Sequence, residues 1–386
     1  MRISTRNRRP GLAALLVCLS ACGPVDGPAS DPPAGPSTTT GTSAAAGVPL
    51  YIPTTPTAWR GELPCADCAG IRSTLLLSPD GAFTLEEVYL GVSPERAATG
   101  DTVAATRGRW TLESGDLHIR LDGGSDGPRY YRGTGERALR ALDRSGGEID
   151  SELNYTLERL DALPVMEGTL REHGLFTYMA DAALFVPCAS GIQTPVAMEG
   201  GYLELEQGYM AWASGGSRAP GAPMQAWLTG SVELRPAMEG DGTEDVFVVR
   251  EWEEGASTPS ADCPALATVE ALAGGEWRLV SLVGEPVGDA ASLDAPFERP
   301  TLAWDRGESQ VSGTGGCNRF VGRGILRGTE LVEQAGLTAT RRYCEGAMEV
   351  EVRYLGILSE GGHLRLDPGA LRLFHGPREV ARFEGG

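Results

Sequence analysis

Two cysteines that are separated by two residues, Cys65 and Cys68, are the side chains of this sequence best suited to chemistry. A dithiol enzyme of the thioredoxin type places such a pair at the start of a helix, whose N-terminus stabilises the thiolate. Here Gly70 closes the segment, and the apolar alternation over residues 71–78 is typical of a strand. The pair is therefore predicted on a loop between strands, which fits a disulfide clip, a soft-metal site or a redox sensor better than a catalyst.

The donor atoms near this loop indicate which metal ion it would suit. Thiolates are the ligands that Cu(I) prefers, whereas the neighbouring Glu62 and Asp67 suit hard cations and do not favour the thiolate form. Two thiolates with few other donors fit two-coordinate Cu(I) better than Zn²⁺, which takes four ligands. Cys65 and Cys68 are thus candidate Cu(I) ligands. A structural disulfide, a metal or redox role and catalytic thiol exchange all stay open for them.

The N-terminus indicates the compartment. Residues 1–21 combine a basic start, a short apolar run and small residues, which is typical of a secretory signal and too short to span a bilayer as a helix. The ending Leu19-Ser20-Ala21-Cys22 resembles a bacterial lipobox. This resemblance implies cleavage before Cys22 and acylation of its sulfur and amino group; the alternative is an ordinary secreted protein cut near Ala21. Gly23, in place of the Asp that commonly retains such proteins at the inner membrane, favours the outer membrane.

Residues 22–56 are predicted to be a disordered tether. They consist almost entirely of Pro, Gly, Ala, Ser and Thr, and such a segment cannot bury enough apolar surface to fold. The folded part is then expected to be lipid-anchored at the outer membrane, mainly facing the periplasm, with the cell surface as the alternative.

Composition removes several function classes. The 386 residues carry a formal net charge of −19, and removing the signal takes away four Arg and no acidic residue. Such a charge repels nucleic acid and anionic headgroups, so no nucleic-acid partner is expected. The absence of Lys excludes a Schiff base, a pyridoxal phosphate anchor and a P-loop lysine. No GxSxG, HExxH or GxGxxG string occurs, and none of the four His forms a metal-binding spacing with another: His118, His173, His363 and His375. We expect no enzymatic activity.

The folded part reads as three β-rich domains, at residues 57–160, 164–263 and 266–384. In the first, short alternating runs are separated by tight turns, a pattern that predicts an antiparallel meander or a small barrel with Trp110 and Tyr155 in its core. The string WRGELPCADCAGIRSTLLLSPDGAFTLEEVYLG, with the later strings GRW and LNYTL, resembles the N-terminal domain of the NlpE family. That resemblance implies a lipocalin-like barrel and an envelope lipoprotein associated with copper resistance. It also implies a membrane sensor kinase that receives a signal when sorting or disulfide formation is impaired.

The second domain resembles the OB-like domain that follows the barrel in the NlpE family, through strand-like strings such as GLFTYMAD and FVPC. It holds six of the eight Met residues. Thioethers bind Cu(I), but the residues are spread out, and core filling is the favoured interpretation. They are Met166, Met179, Met198, Met210, Met224 and Met238.

The third domain contains the string VSGTGGCNRF, through which it resembles the META or HslJ-like domain. Residues 345–358 are predicted to form an amphipathic helix, with Met348, Val352, Leu355 and Leu358 on one face. The rest is predicted to be strand, so the domain is α+β within a mainly β protein. The family resemblance brings no chemistry to this domain.

Six cysteines remain after the signal and the lipid-attached residue, two in each domain. The simplest connectivity is Cys65–Cys68, Cys188–Cys263 and Cys317–Cys344, one of 15 possible pairings, and the periplasm favours oxidation. The loop-entropy relation gives roughly 4–5 kcal/mol for the second bridge, roughly 3.5 for the third and about 2 for the first. Cys65–Cys68 is then the easiest bridge to open.

Two functions stay open. The first is a non-enzymatic lipoprotein of envelope stress or copper homeostasis, whose Cys65 and Cys68 respond to Cu(I) or redox state and whose partner is an envelope sensor. The second is a scaffold or interaction module that holds another outer-membrane protein and has purely structural disulfides.

The lipobox generates a direct prediction about Cys22. Mass spectrometry of the mature N-terminus is expected to show an acylated cysteine, and Cys22→Ala is expected to release the protein from membranes, because several acyl chains are needed for stable anchoring. An unmodified N-terminus at another residue would contradict the assignment.

Overall fold

The computed structural model describes residues 53–99, 102–113, 117–124, 127–135, 137–216, 218–237, 242–255, 263, 266–287, 298–305, 310–332 and 336–385. The predicted signal peptide, the predicted lipid-attachment residue Cys22 and the predicted tether up to residue 52 lie outside these residues. The described chain belongs to one compact unit. None of its helices is long and apolar enough to cross a bilayer.

The N-terminal part is a closed antiparallel barrel of eight strands in sequential order, closed by pairing of its first and last strands. Period-two alternation turns one face of each strand inward, where Trp110, Leu75 and Leu85 are buried, as is typical of a small filled barrel. The buried indole Nε1 of Trp110 donates to the Ser78 carbonyl over 2.8 Å. A short helix α1 (Pro94–Thr99) links two of the strands. The strands are β1 Thr57–Leu63, β2 Gly70–Leu77, β3 Ala82–Leu90, β4 Val103–Glu113, β5 His118–Asp122, β6 Arg129–Gly133, β7 Ala138–Ala141 and β8 Thr156–Arg159.

The middle part is a five-stranded sheet with one helix, α2 (Tyr202–Ser214). Its strand order is β11-β10-β9-β12-β13, so the long β9 lies at the centre. The buried side of α2, with Leu205 and Tyr209, packs on Phe176 and Phe247 of the sheet. The strands are β9 Leu170–Met179, β10 Ala182–Pro187, β11 Thr194–Pro195, β12 Met224–Pro236 and β13 Thr243–Glu254.

The C-terminal part is α+β. Among the described residues, eleven strands form one sheet in the order β19-β20-β22-β23-β24-β14-β16-β17-β18-β21, with β15 paired to β14. The helices are α3 (Val269–Leu272) and α4 (Met348–Glu360), and α4 packs through Tyr354 against Phe320 and Phe383. The strands are β14 Trp277–Leu282, β15 Glu285–Pro286, β16 Thr301–Asp305, β17 Gln310–Thr314, β18 Arg319–Arg323, β19 Leu326–Arg327, β20 Glu330–Leu331, β21 Thr338–Ala339, β22 Gly362–Asp367, β23 Ala370–His375 and β24 Arg378–Gly385.

The predicted face of the α4 helix is wrong at one position. Val352 is 65% exposed, whereas Glu351 is only 4% exposed. The reason is local: the Glu351 carboxylate accepts hydrogen bonds from the backbone N–H groups of Cys317 and Asn318, over 3.1 and 2.6 Å. A buried carboxylate that receives such bonds is stabilised in place. The helix therefore directs Glu351, and not Val352, into the interior.

A buried arginine joins the barrel to the middle sheet. The side chain of Arg107 on β4 has no exposed surface, and its Nη2 lies 2.9 Å from Asp245 Oδ2 on β13. Its Nη1 donates to Thr194 Oγ1 over 3.3 Å. Burial alone would lower the pKa of Arg107, but the carboxylates of Glu172 and Asp245 raise it above the ordinary value. The guanidinium therefore stays charged at the junction of the two parts.

The C-terminal sheet contacts the barrel directly. A Cβ added to Gly81 would lie 3.1 Å from the Gly376 carbonyl oxygen, and both glycines have positive φ, so two turns approach where side chains would not fit. Arg365 Nη1 lies 3.0 Å from Asp122 Oδ2 of the barrel. The C-terminal sheet also meets the middle part, where Thr329 Oγ1 donates to the Gly191 carbonyl over 2.7 Å.

The buried pair gives a stability prediction. Arg107→Ala is expected to lower the free energy of unfolding by about 3–5 kcal/mol, because it leaves a buried carboxylate without its cation. Arg137→Ala is the matched control, since Arg137 pairs with Asp161 at an exposed position and should change stability by less than about 1 kcal/mol. Urea unfolding of both variants measures the difference, and equal midpoints would contradict the importance of the junction.

Candidate thiol and metal sites

The CxxC pair lies in a hairpin loop, as the alternation predicts. Strands β1 and β2 pair from Thr57 opposite Leu77 to Leu63 opposite Ile71, and the loop between them holds no helix. Cys65 and Cys68 are joined as a disulfide with Cα atoms 5.4 Å apart, and both are half-buried. The loop therefore keeps the sulfurs within reach of solvent.

The loop offers three potential ligands in a small space. Donor atoms of Cys65, Cys68 and the exposed Asp67 all lie within 4.8 Å of one another. Asp67 Oδ1 is 3.4 Å from Cys65 Sγ, and the Gly70 carbonyl oxygen is 3.3 Å from Cys68 Sγ. Once the disulfide is reduced, the two soft sulfurs fit Cu(I), and the single carboxylate adds little for that ion. The donor set is thus compatible with the candidate Cu(I) site.

The other four cysteines also form disulfides, Cys188–Cys263 and Cys317–Cys344. Cys317 is 9% exposed and Cys344 is 5% exposed. Next to Cys317, the side chain of Asn318 donates to Glu351 Oε1 over 2.7 Å, and its own Oδ1 accepts from the Arg342 backbone N–H over 2.6 Å. The Asn of the GCNRF string therefore has a structural role, since it forms buried hydrogen bonds next to the Cys317–Cys344 disulfide.

The disulfide Cys188–Cys263 has a histidine beside it. His173 Nδ1 lies 3.5 Å from Cys188 Sγ and 4.0 Å from Cys263 Sγ. The imidazole stacks on Trp227 with ring centroids 4.7 Å apart. The three donor atoms form a second group whose members all lie within 4.8 Å of one another. The pairing of Cys188 with Cys263 is predicted from the sequence, but the place of His173 beside it is not, because 15 residues separate His173 from Cys188 and 90 separate it from Cys263.

A cavity of about 800 Å³ lies between the barrel and the middle sheet at this cluster. Its lining includes His173, Cys188, Glu172 and Trp227 from the middle sheet and Arg107 from the barrel. The lining is therefore rich in groups that bind ions. His173 and Cys188 of the cluster border a cavity large enough to hold water.

Glu172 is the most unusual charged group of this cavity. It is 7% exposed, and neither carboxylate oxygen has a hydrogen-bond partner among the described residues. Burial raises the pKa of Glu172 above its ordinary value, the Arg107 charge opposes that shift, and Asp245 adds to it. The protonated form is thus favoured more in the folded protein than in the unfolded chain.

The methionines do not all fill the core. Met224 is fully buried, but Met179, Met198 and Met210 are 57%, 63% and 50% exposed, so the core-filling interpretation is wrong for these three. Met238 lies outside the described residues. The lipid-attachment assignment at Cys22 likewise falls outside them and stays a prediction.

Comparison with known families gives three matches along the chain. The NlpE N-terminal domain matches residues 59–152, the NlpE C-terminal OB domain matches residues 167–264, and the META domain matches residues 270–385. The chain is similar to the lipoprotein NlpE of Escherichia coli strain K12, with 38% identity over 214 residues, which cover 55% of this chain and 82% of that protein. It is also similar to a crystal structure described as the Cpx pathway activator NlpE from Escherichia coli. There the identity is 33%, the coverage is 53% of this chain and 97% of that chain, and the TM-score is 0.22.

The buried carboxyl gives a pH prediction. Because the folded-state pKa of Glu172 lies above the ordinary value, its protonation contributes stability that is lost as the pH rises through the folded-state pKa. Glu172→Gln is therefore expected to melt at a higher temperature than the wild type at pH 7, and the gain should shrink as the pH falls through the folded-state pKa towards the ordinary carboxyl value. Thermal unfolding from pH 4 to 8 measures it.

Glu158→Gln is the control, since Glu158 is exposed on β8 and its replacement should change the melting temperature at pH 7 little. If Glu172→Gln melts lower than the wild type at pH 7, the ionised carboxylate instead supports Arg107.

Proposed function

The chain belongs to the NlpE family, and from this premise we propose that it is a non-enzymatic lipoprotein of envelope stress, with Cys65 and Cys68 as a Cu(I)- and redox-responsive pair. The observation that carries the metal part is the position of these two sulfurs in one half-exposed hairpin loop. The family supports the stress part, because the similar Escherichia coli protein is described as a Cpx pathway activator.

The proposed mechanism is a change of state in the loop. A dithiol reductant transfers two electrons and two protons to the disulfide and becomes a disulfide itself, which leaves two thiols. Binding of Cu(I) then releases the thiol protons and joins the sulfurs through the metal. The bridge spans few residues and contributes about 2 kcal/mol by loop entropy, so opening it costs the barrel little.

The proposed location and partner follow from the predicted anchor. Cys22 would carry the lipid, residues 22–56 would form the tether, and the three domains at 57–160, 164–263 and 266–384 would face the periplasm from the outer membrane. We propose an envelope sensor as the protein that receives the signal.

A scaffold role with purely structural disulfides is the second proposed function. The junction favours it, because the ion pairs of Arg107 and Arg365 join the parts of the chain into one unit. The two functions differ in whether the reduced loop binds metal.

A Cu(I) titration of the reduced full chain in the absence of oxygen separates the two functions. The wild type is expected to bind one more Cu(I) than the Cys65→Ser/Cys68→Ser variant, because only the wild type retains the loop thiolates. Glu62→Gln/Asp67→Asn is the matched control, which removes the nearby charges and keeps both thiols. Equal copper stoichiometry in the wild type and the double serine variant would support the scaffold.

A further inference from the structure

We propose that His173, Cys188 and Cys263 form a second metal site, which binds a divalent cation of the zinc class when the Cys188–Cys263 disulfide is reduced. The site lies on the wall of the cavity between the barrel and the middle sheet. It uses none of the residues of the hairpin loop, so it does not rest on the function proposed for Cys65 and Cys68.

The first argument is the spacing of the donor atoms. In a tetrahedral zinc site with a Zn–N distance of about 2.0 Å and a Zn–S distance of about 2.3 Å, the nitrogen and sulfur ligands lie about 3.5 Å apart. His173 Nδ1 lies 3.5 Å from Cys188 Sγ and 4.0 Å from Cys263 Sγ. The imidazole already stands where a ligand must stand, and only the two sulfurs have to separate, to about 3.8 Å.

The second argument is the way the imidazole is held. Trp227 lies opposite His173 on the neighbouring strand and stacks on its ring, and Arg171 covers Trp227 with its guanidinium 4.2 Å from a ring centroid. The Cys188 backbone N–H donates to the His173 carbonyl over 2.8 Å, which fixes the two ligands relative to each other. Such preorganisation reduces the ordering that metal binding requires.

The third argument is the free nitrogen on the far side of the ring. His173 Nε2 is buried and has no hydrogen-bond partner among the described residues, and the same holds for both amide atoms of the Gln225 side chain. The two residues flank Gly255, where an added Cβ would lie 3.2 Å from His173 Nε2 and 2.9 Å from Gln225 Cβ. A ligating histidine donates its other N–H to an acceptor, and the unpaired Gln225 Oε1 could become that acceptor after a rotation of its side chain.

The donor set indicates the class of metal. Two thiolates and one imidazole suit Zn²⁺, and three protein ligands leave a fourth position for water or an exogenous ligand from the cavity. The hairpin loop lacks an imidazole and therefore suits a different ion. Glu172 and Arg107 line the same cavity as His173 and Cys188.

Formation of the metal site begins with reduction of the Cys188–Cys263 disulfide by a dithiol. The reductant delivers two electrons and two protons to Cys188–Cys263 and is oxidised to a disulfide, so the protein gains two thiols. The divalent cation then displaces the two thiol protons to solvent and binds both thiolates and the neutral imidazole. Oxidised protein should therefore not bind the ion at this place.

The test uses the full chain with Cys65→Ser/Cys68→Ser as background, so that the hairpin loop contributes no thiol. The chain is reduced with a water-soluble phosphine, which leaves no competing thiol, and titrated with Co²⁺ as a coloured substitute for Zn²⁺. We expect one Co²⁺ per reduced chain with thiolate charge-transfer bands and tetrahedral visible bands, displaced by Zn²⁺, and none in the oxidised chain.

Two variants assign the ligands. Cys188→Ser/Cys263→Ser is expected to abolish the signal, and His173→Gln to weaken Co²⁺ binding at least tenfold with altered visible bands, because one of three protein ligands is lost. His118→Gln is the matched control, since His118 lies on β5 of the barrel and should leave binding unchanged. Near-UV circular dichroism confirms that each variant is folded.

Three results would overturn the site. The reduced background chain could take up no more Co²⁺ than the oxidised chain, the folded His173→Gln variant could bind with unchanged affinity and spectrum, or binding could persist without Cys188 and Cys263. Each result can be interpreted whatever the copper titration of the hairpin loop shows, because the background lacks both thiols of that loop.

Discussion

The burial of one arginine between two parts of the chain is the constraint on which the rest of the structure depends. Arg107 belongs to the barrel, but its charge is balanced by Asp245 of the middle sheet, over 2.9 Å. Separating the two parts would break this buried ion pair, and breaking a buried pair is costly. The ion pair therefore fixes the barrel against the middle sheet, and the cavity that His173 and Cys188 line lies between these two parts.

The two disulfides nearest the candidate metal sites occupy different physical environments. Cys65–Cys68 closes a short loop at one end of a hairpin and faces solvent. Cys188–Cys263 joins residues 75 positions apart, with Cys263 buried among Leu175 and Leu266. Opening the first changes a loop, whereas opening the second releases a long segment of chain near the junction. A thiol reaction at the junction would thus affect more of the molecule than one at the loop.

Most of the fold follows from local patterns in the sequence, and the cavity does not. Strand β2 (Gly70–Leu77) differs by one residue at each end from the alternation over residues 71–78, because period-two burial is a local property. The buried Glu351 was missed because its hydrogen-bond partners lie 33 and 34 residues away. The histidine beside the predicted Cys188–Cys263 bridge is not predictable for the same reason, since His173 lies 15 and 90 residues from its two cysteines.

The measurement that most directly tests a metal site at this junction is X-ray absorption at the zinc edge, on the reduced full chain with Cys65→Ser/Cys68→Ser and one equivalent of Zn²⁺. The account predicts a first shell of two sulfurs near 2.3 Å, one imidazole nitrogen and one further light atom. It also predicts that His173→Gln removes the imidazole scattering. A shell of oxygen and nitrogen alone, or an imidazole signal that survives His173→Gln, would contradict it.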